Sequence, residues 1–238
     1  MNNKIDRKIA LDIETTGLNH SGVLYKNHKI IEIGAIEIIN RKITNNKFHV
    51  YLNPKRDIST EAFKIHGISR FFLEKKPIFS DIYLNFMEYI ANSDIIAHNS
   101  NFDISFLNYE IKTLNKIFKK INESCKIIDT LKMARNIFPG KKNSLDALCD
   151  RYQIKYKNRT LHSAVIDANL VAKIYLRMTC IQKKINLNNV NDKIEYSLEY
   201  DSSLKSKLNI LRASSKEEYK HQKYLNNMEN SGSCLWMT

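Results

Sequence analysis

The chain has 238 residues, 43% hydrophobic and 10% aromatic, enough for one sizeable core plus a tail, which excludes a wholly disordered protein. Its 38 Lys and Arg against 25 Asp and Glu leave a net charge of +13. That suggests a polyanionic partner such as nucleic acid, although heavy Lys, Asn and Ile use with 6 Gly and 3 Pro is also what an A+T-rich coding bias produces.

The first apolar run, Lys8 to Ile13, ends in carboxylates and reads as a buried strand. Ile30 to Ile39 is long and β-branched, and a third strand around Phe48 to Leu52 can pair antiparallel with it. The period then changes. A helix is predicted near Ser80 to Ala91, a short strand at Asp94 to Ala97 and a helix from Asn101 through Leu114. A short strand at Ile127 and Ile128 follows, then helices near Thr130 to Ile137, Ser144 to Tyr152 and Ala164 to Met178. Three strands first and alternating elements afterwards predict an α/β domain, a mixed five-stranded sheet flanked by helices.

Around Gln182 the character changes. The expected division is a domain over 1–180, a linker over 181–200 and a tail over 201–238, which cannot build a core of its own. Lys183 to Asn191 is polar and Asn-rich, and Ser202 to Met228 carries mixed charge and a weak helical signal. Cys125, Cys149, Cys180 and Cys234 form no C-x-x-C pair, so neither a disulfide framework nor a zinc site is expected. The N-terminus shows no signal-like region, and no stretch reaches the roughly 18 apolar residues of a membrane span. A cytoplasmic protein with no membrane association is the expectation.

Three motifs carry acids. In Asp12-Ile-Glu14-Thr15-Thr16-Gly17 the two carboxylates are i and i+2 on a strand and project to one face. Two anions side by side repel and are costly to desolvate unless a cation is present, and oxygen ligands suit Mg²⁺ or Mn²⁺. Alone, the pair reads more readily as a strand leaving the core with both acids solvated. Asp103, in Asn99-Ser-Asn-Phe102-Asp103, starts a helix after a short strand. There an acid complements the helix dipole, but α/β sheets also place ligand sites at such ends. In His162-Ser-Ala-Val-Ile-Asp167, His162 falls on a loop and can move and titrate like a general base. Asp167 falls in the first turns of the next helix, facing the sheet beside Val171 and Ile174.

Taken together, D-x-E-x-T-G, N-x-x-F-D and H-x-x-x-x-D in this order resemble the DEDD exonucleases with a histidine in the third motif, over roughly Lys8 to Met178. The resemblance implies an RNase H-like fold and two-metal hydrolysis. Asp12, Glu14, Asp103 and Asp167 would hold two divalent ions, Mg²⁺ or Mn²⁺, and His162 would take a proton from the attacking water. Asp12, Glu14, Asp167, Thr15, Glu61, His66 and Phe102 would contact the terminal nucleotide of a DNA 3′ end, Phe102 by stacking. The terminal Gly-Ser-Cys-Leu235-Trp236 resembles the epsilon (proofreading) subunits of bacterial DNA polymerase III. In that family the tail binds the polymerase (alpha) subunit; Leu235 and Trp236 would be its anchors here. A small theta-type subunit is a further partner of that family. Gln182-Lys-Lys-Ile185-Asn-Leu187 looks like a peptide for the sliding clamp. The implied function is removal of mispaired nucleotides from DNA 3′ ends. An RNA-trimming exonuclease of the same superfamily, a non-catalytic module bracing a polymerase and a nucleic-acid-binding module are the alternatives; only the first of these accounts for all the acids.

Overall fold

The computed structural model describes residues 6–114, 120–155, 161–180 and 212–232. The chain divides into two compact units, Met1–Gln182 and Lys183–Thr238.

In the first unit, strands β1 (Arg7–Thr15), β2 (Ile30–Ile39) and β3 (Lys42–Tyr51) come first. Helices α1 (Thr60–His66), α2 (Arg70–Leu73) and α3 (Phe79–Ile90) follow, then β4 (Asp94–Ala97) and α4 (Asn101–Thr113). The unit closes with α5 (Ile121–Ser124), β5 (Ile127–Asp129), α6 (Thr130–Ile137), α7 (Leu145–Arg151) and α8 (Ala164–Met178). The sheet order is β3-β2-β1-β4-β5. β1–β2 and β2–β3 are antiparallel, β1–β4 and β4–β5 parallel. This is the mixed five-stranded sheet that the change of period predicts.

β1 is central, and its alternation divides the core. Ile9, Leu11 and Ile13 turn to the face covered by α3 and α4, where they pack with Phe86, Phe106 and Leu107. Ala10 turns to the opposite face, where α8 lays Ala168, Val171 and Ala172 on it. Asp12 and Glu14 continue this second face past the apolar region. α8 also packs outward, with Leu170 and Ile174 meeting Ala134, Leu148 and Cys149 of α6 and α7. Ile174, two turns past Asp167 and about 20° from it around the helix, reaches this α6–α7 cluster, while Val171 packs on the sheet side. Five steps of 100° separate Leu170 from Tyr175, so one helix serves two cores.

Most boundaries follow the sequence reading, and the departures have local causes. β3 begins at Lys42, because Asn40 and Arg41 both take positive φ (48° and 65°) and form a two-residue hairpin turn. Lys42 to Lys47 is polar, and much of that stretch faces solvent, so it lacks the alternation that marks a half-buried strand. Helices α1, α2 and α5 leave no periodic signal in the sequence. They have 7, 4 and 4 residues, too short for a periodic stripe, and α1 buries only Ala62 and His66.

In the second unit one helix is described, α9 (Ser215–Ser231), opened by a reciprocal cap between Ser214 and Glu217. Among its described residues it buries none. The proposed linker, the segment holding Gln182, Ile185 and Leu187, and the end holding Leu235 and Trp236 lie outside the described residues. Among the described residues no helix is long and apolar enough to cross a membrane.

Candidate active site

The site forms at the carboxyl end of β1. Asp12 and Glu14 are half-buried there, and the β1–β2 register slips between Glu14 and Thr15. Such a bulge bends the strand and re-aims its last side chains. Opposite Asp12 stands Gly34. A Cβ on Gly34 would lie 2.2 Å from the Ala164 carbonyl carbon and 2.3 Å from the Val165 nitrogen. Only glycine lets the first turn of α8 lie directly against β2, which delivers the third motif to the acids of the first.

His162 is on the loop before α8 and Asp167 is inside its first turn, as the spacing predicts. Asp167 is buried, 2% exposed, while the His162 side chain keeps 44% of its exposure. His162 Nδ1 lies 3.2 Å from Asp167 Oδ2. Glu14, His162 and Asp167 each offer a ligand atom within 4.8 Å of the others. The structure thus joins residues nearly 150 positions apart. Asp12 and Asp103 stand outside this tightest group, Asp12 on the same face of β1 and Asp103 across from it on α4.

Asp103 is the most perturbed acid. It is 3% exposed, and burial pushes its carboxyl up to about 8, against hydrogen bonds from its own and Ile13's backbone and helped by the charge of Asp129. The Ile13 contact ties Asp103 to β1 between Asp12 and Glu14. Asp129, at the end of β5, organises the approach. Its oxygens accept from the Asn99 and Ser100 backbone N–H groups at 3.3 and 3.2 Å, from Ser100 Oγ, and from Leu131 N–H, where it caps α6. It thereby clamps the β4–α4 turn, in which Asn99 has φ 67°.

The other sequence-predicted residues fall around this centre with unequal exposure. The Thr15 hydroxyl is engaged locally, donating to the Gly17 carbonyl at 3.0 Å. Phe102 is half-buried and packs on Phe106 with ring centroids 4.9 Å apart. Glu61 is exposed at the start of α1. His66, at the end of α1, is buried, and burial holds its pKa below the ordinary value against the Glu32 carboxylate and the Thr15 backbone. α1 also supports the loop before α8: His162 N–H donates to the Ile65 carbonyl at 2.9 Å. Gly67 caps the helix in the left-handed region, φ 69°, where a Cβ would meet Leu161 Cδ1 at 2.6 Å.

Two further acids, Asp129 and Glu32, lie outside the three sequence motifs. Asp129 could have been read as a helix N-cap from Asp-Thr ahead of the sixth helix. Glu32 is fully buried on β2, directly opposite Glu14. Inside the β-branched run Ile30 to Ile39 nothing marks it except an acid at a position flanked by isoleucines.

Residues 9–175 match the family model described as Exonuclease. The chain is 49% identical to DNA polymerase III subunit epsilon of Buchnera aphidicola subsp. Baizongia pistaciae, over 98% of this chain and 97% of that one. It is 44% identical to DNA polymerase III subunit epsilon of Escherichia coli (strain K12), over 99% of both. The chain belongs to the DNA polymerase III epsilon subunit family of 3′→5′ exonucleases. Among solved structures, exonuclease X in complex with 5′-overhanging duplex DNA superimposes with a TM-score of 0.53 at 27% identity, covering 72% of this chain and 89% of that one. The five-stranded sheet with its flanking helices is accordingly the RNase H-like fold of the DEDD exonucleases.

Proposed function

We propose that the chain removes mispaired nucleotides from DNA 3′ ends by hydrolysis dependent on two divalent cations. The observation that carries this reading is the meeting of Glu14, His162 and Asp167 within 4.8 Å at the end of β1. The donor set fits hard cations: carboxylate oxygens predominate, and Asp103 and Asp167 are buried where uncompensated negative charge is costly. Asp12, Glu14, Asp103 and Asp167 would hold the ions. When bound, such ions supply Lewis acidity toward the phosphodiester and the attacking water.

The chain's own groups then divide the work. His162, exposed and flanked by Asp167, accepts the proton of the attacking water, and the carboxylate favours the imidazolium that results. Glu61, His66 and Thr15 border the position of the terminal nucleotide, and Phe102 offers a face to its base. None of these contacts requires a particular base, so selectivity comes from the DNA: a mispaired end frays and supplies a single strand at lower cost than a paired end. Nucleoside 5′-monophosphates are the products.

Within a polymerase III assembly, the second unit would bind the catalytic (alpha) subunit, with Leu235 and Trp236 as anchors. Gln182, Ile185 and Leu187 would reach the sliding clamp, and a small theta-type subunit, where present, would be a further partner. The absence of a C-x-x-C pair and the family membership support a cytoplasmic setting.

Asp12→Ala tests the reading: digestion of a 5′-labelled deoxyoligonucleotide in Mg²⁺ should fall by at least about 100-fold. A near wild-type rate would overturn it. Matched ribose and deoxyribose strands separate proofreading from RNA trimming, with the deoxyribose strand expected to be degraded faster.

A further inference from the structure

Glu32 has no role in the chemistry above, and its position is expensive. It is fully buried, with Glu14 directly across the β1–β2 ladder. Like charges facing each other in a sheet destabilise it, and burying a carboxylate costs free energy unless it is paired. A β-branched residue would avoid both costs. Glu32 Oε1 is paired: it lies 2.8 Å from His49 Nε2 and accepts from Ser163 Oγ at 3.0 Å. Tyr51, opposite Glu32 on β3, has its phenol pKa raised by burial and by this carboxylate.

Ser163 shows what the cluster does. It occupies the N-cap position of α8, where a serine hydroxyl ordinarily accepts from a backbone N–H in the first turn. Here it makes no such bond; the hydroxyl is turned to Glu32. The residue immediately before it is His162. The loop is therefore held at two adjacent residues, His162 N–H on the Ile65 carbonyl and Ser163 Oγ on Glu32. The imidazole itself stays 44% exposed. Its approach to Asp167, Nδ1 to Oδ2 at 3.2 Å, is set by where the loop backbone sits, and small misplacement of a reacting group is costly in rate.

We propose that Glu32, braced by His49, is a positioning residue that fixes His162 through Ser163. The proposal rests on His162 acting as the base.

The test uses the full chain, a 5′-labelled single-stranded deoxyoligonucleotide and Mg²⁺. Ser163→Ala removes only the tether and should lower kcat about tenfold with KM within about twofold, and Glu32→Leu should do the same. Ser163→Thr, which keeps the hydroxyl, should recover kcat to within about threefold of wild type. Because the effect passes through the imidazole, Ser163→Ala added to His162→Ala should lower kcat by less than about twofold further. Unchanged kcat in Ser163→Ala would overturn the proposal, as would a loss carried by KM alone or a full tenfold loss on top of His162→Ala. A near wild-type rate for His162→Ala itself would instead remove the base assignment, and the positioning role with it.

Discussion

At the scale of single residues, Asp103 links the site to stability. Its carboxyl, ordinarily 3.8, is pushed to about 8 in the fold. A raised folded-state pKa means that the native chain keeps a proton the unfolded chain has lost. The associated stabilisation is complete below pH about 4 and disappears as pH rises toward 8. The cation-free protein should therefore lose thermal stability across this range. Asp103→Asn should flatten that limb and raise the midpoint at pH 8 by about 2–4 °C or more, measured by circular dichroism in EDTA. Added Mg²⁺ should stabilise the wild type most at high pH, where the carboxylate is exposed to its full desolvation cost, and should do much less for Asp103→Asn. A pH-independent melting temperature in EDTA would show that Asp103 is not held neutral.

The same scale separates residues that were legible from those that were not. Asp12, Glu14, His162 and Asp167 were visible because the three motifs together resemble the DEDD exonucleases; the strand's period of two added only that the first pair shares a face. Glu32 was not. A buried acid in an isoleucine run acquires meaning only from His49 and Ser163, which lie 17 and 131 residues away. The upward shift of the Asp103 carboxyl likewise depends on its burial and on Asp129, 26 residues away.

At the scale of elements, the site depends on how closely α8 approaches the sheet. Gly34→Ala would place a methyl group 2.2 Å from the Ala164 carbonyl carbon. The helix start must then move outward, taking Ser163 and His162 with it. The expected cost is about 1–3 kcal/mol in stability together with a loss of activity larger than that destabilisation explains. Urea unfolding and single-strand digestion on one preparation check both parts. An Ala variant with normal kcat would show that α8 shifts without carrying the catalytic loop. Long elements such as β2 and α8 were readable because many residues repeat the same environment. α1 was not, because its value lies in one backbone carbonyl, Ile65, and one buried ring, His66. Neither leaves a periodic trace.

At the scale of the whole molecule, the boundary between units at Gln182 and Lys183 falls beyond the last residue of the exonuclease match at 175. A chain ended at Gln182 should digest single-stranded DNA with kcat within about twofold of the full chain. It should fail to co-purify with the polymerase catalytic subunit. Binding by the shortened chain would overturn the assignment of the second unit. The net charge of +13 belongs to this scale too, as a long-range attraction for any polyanion that adds encounter rate without sequence preference.

By itself the sequence determined the order of the strands and of the longer helices, the face of β1 that carries the acids and the family. These follow from local periodicity and from motifs whose members are few residues apart. Tertiary structure alone decided that Glu14 meets His162 and Asp167, that burial pushes the Asp103 carboxyl upward, and that Ser163 holds Glu32 instead of capping its own helix. Burial and long-range contact set those properties, and neither is defined until the sheet has closed against α4 and α8.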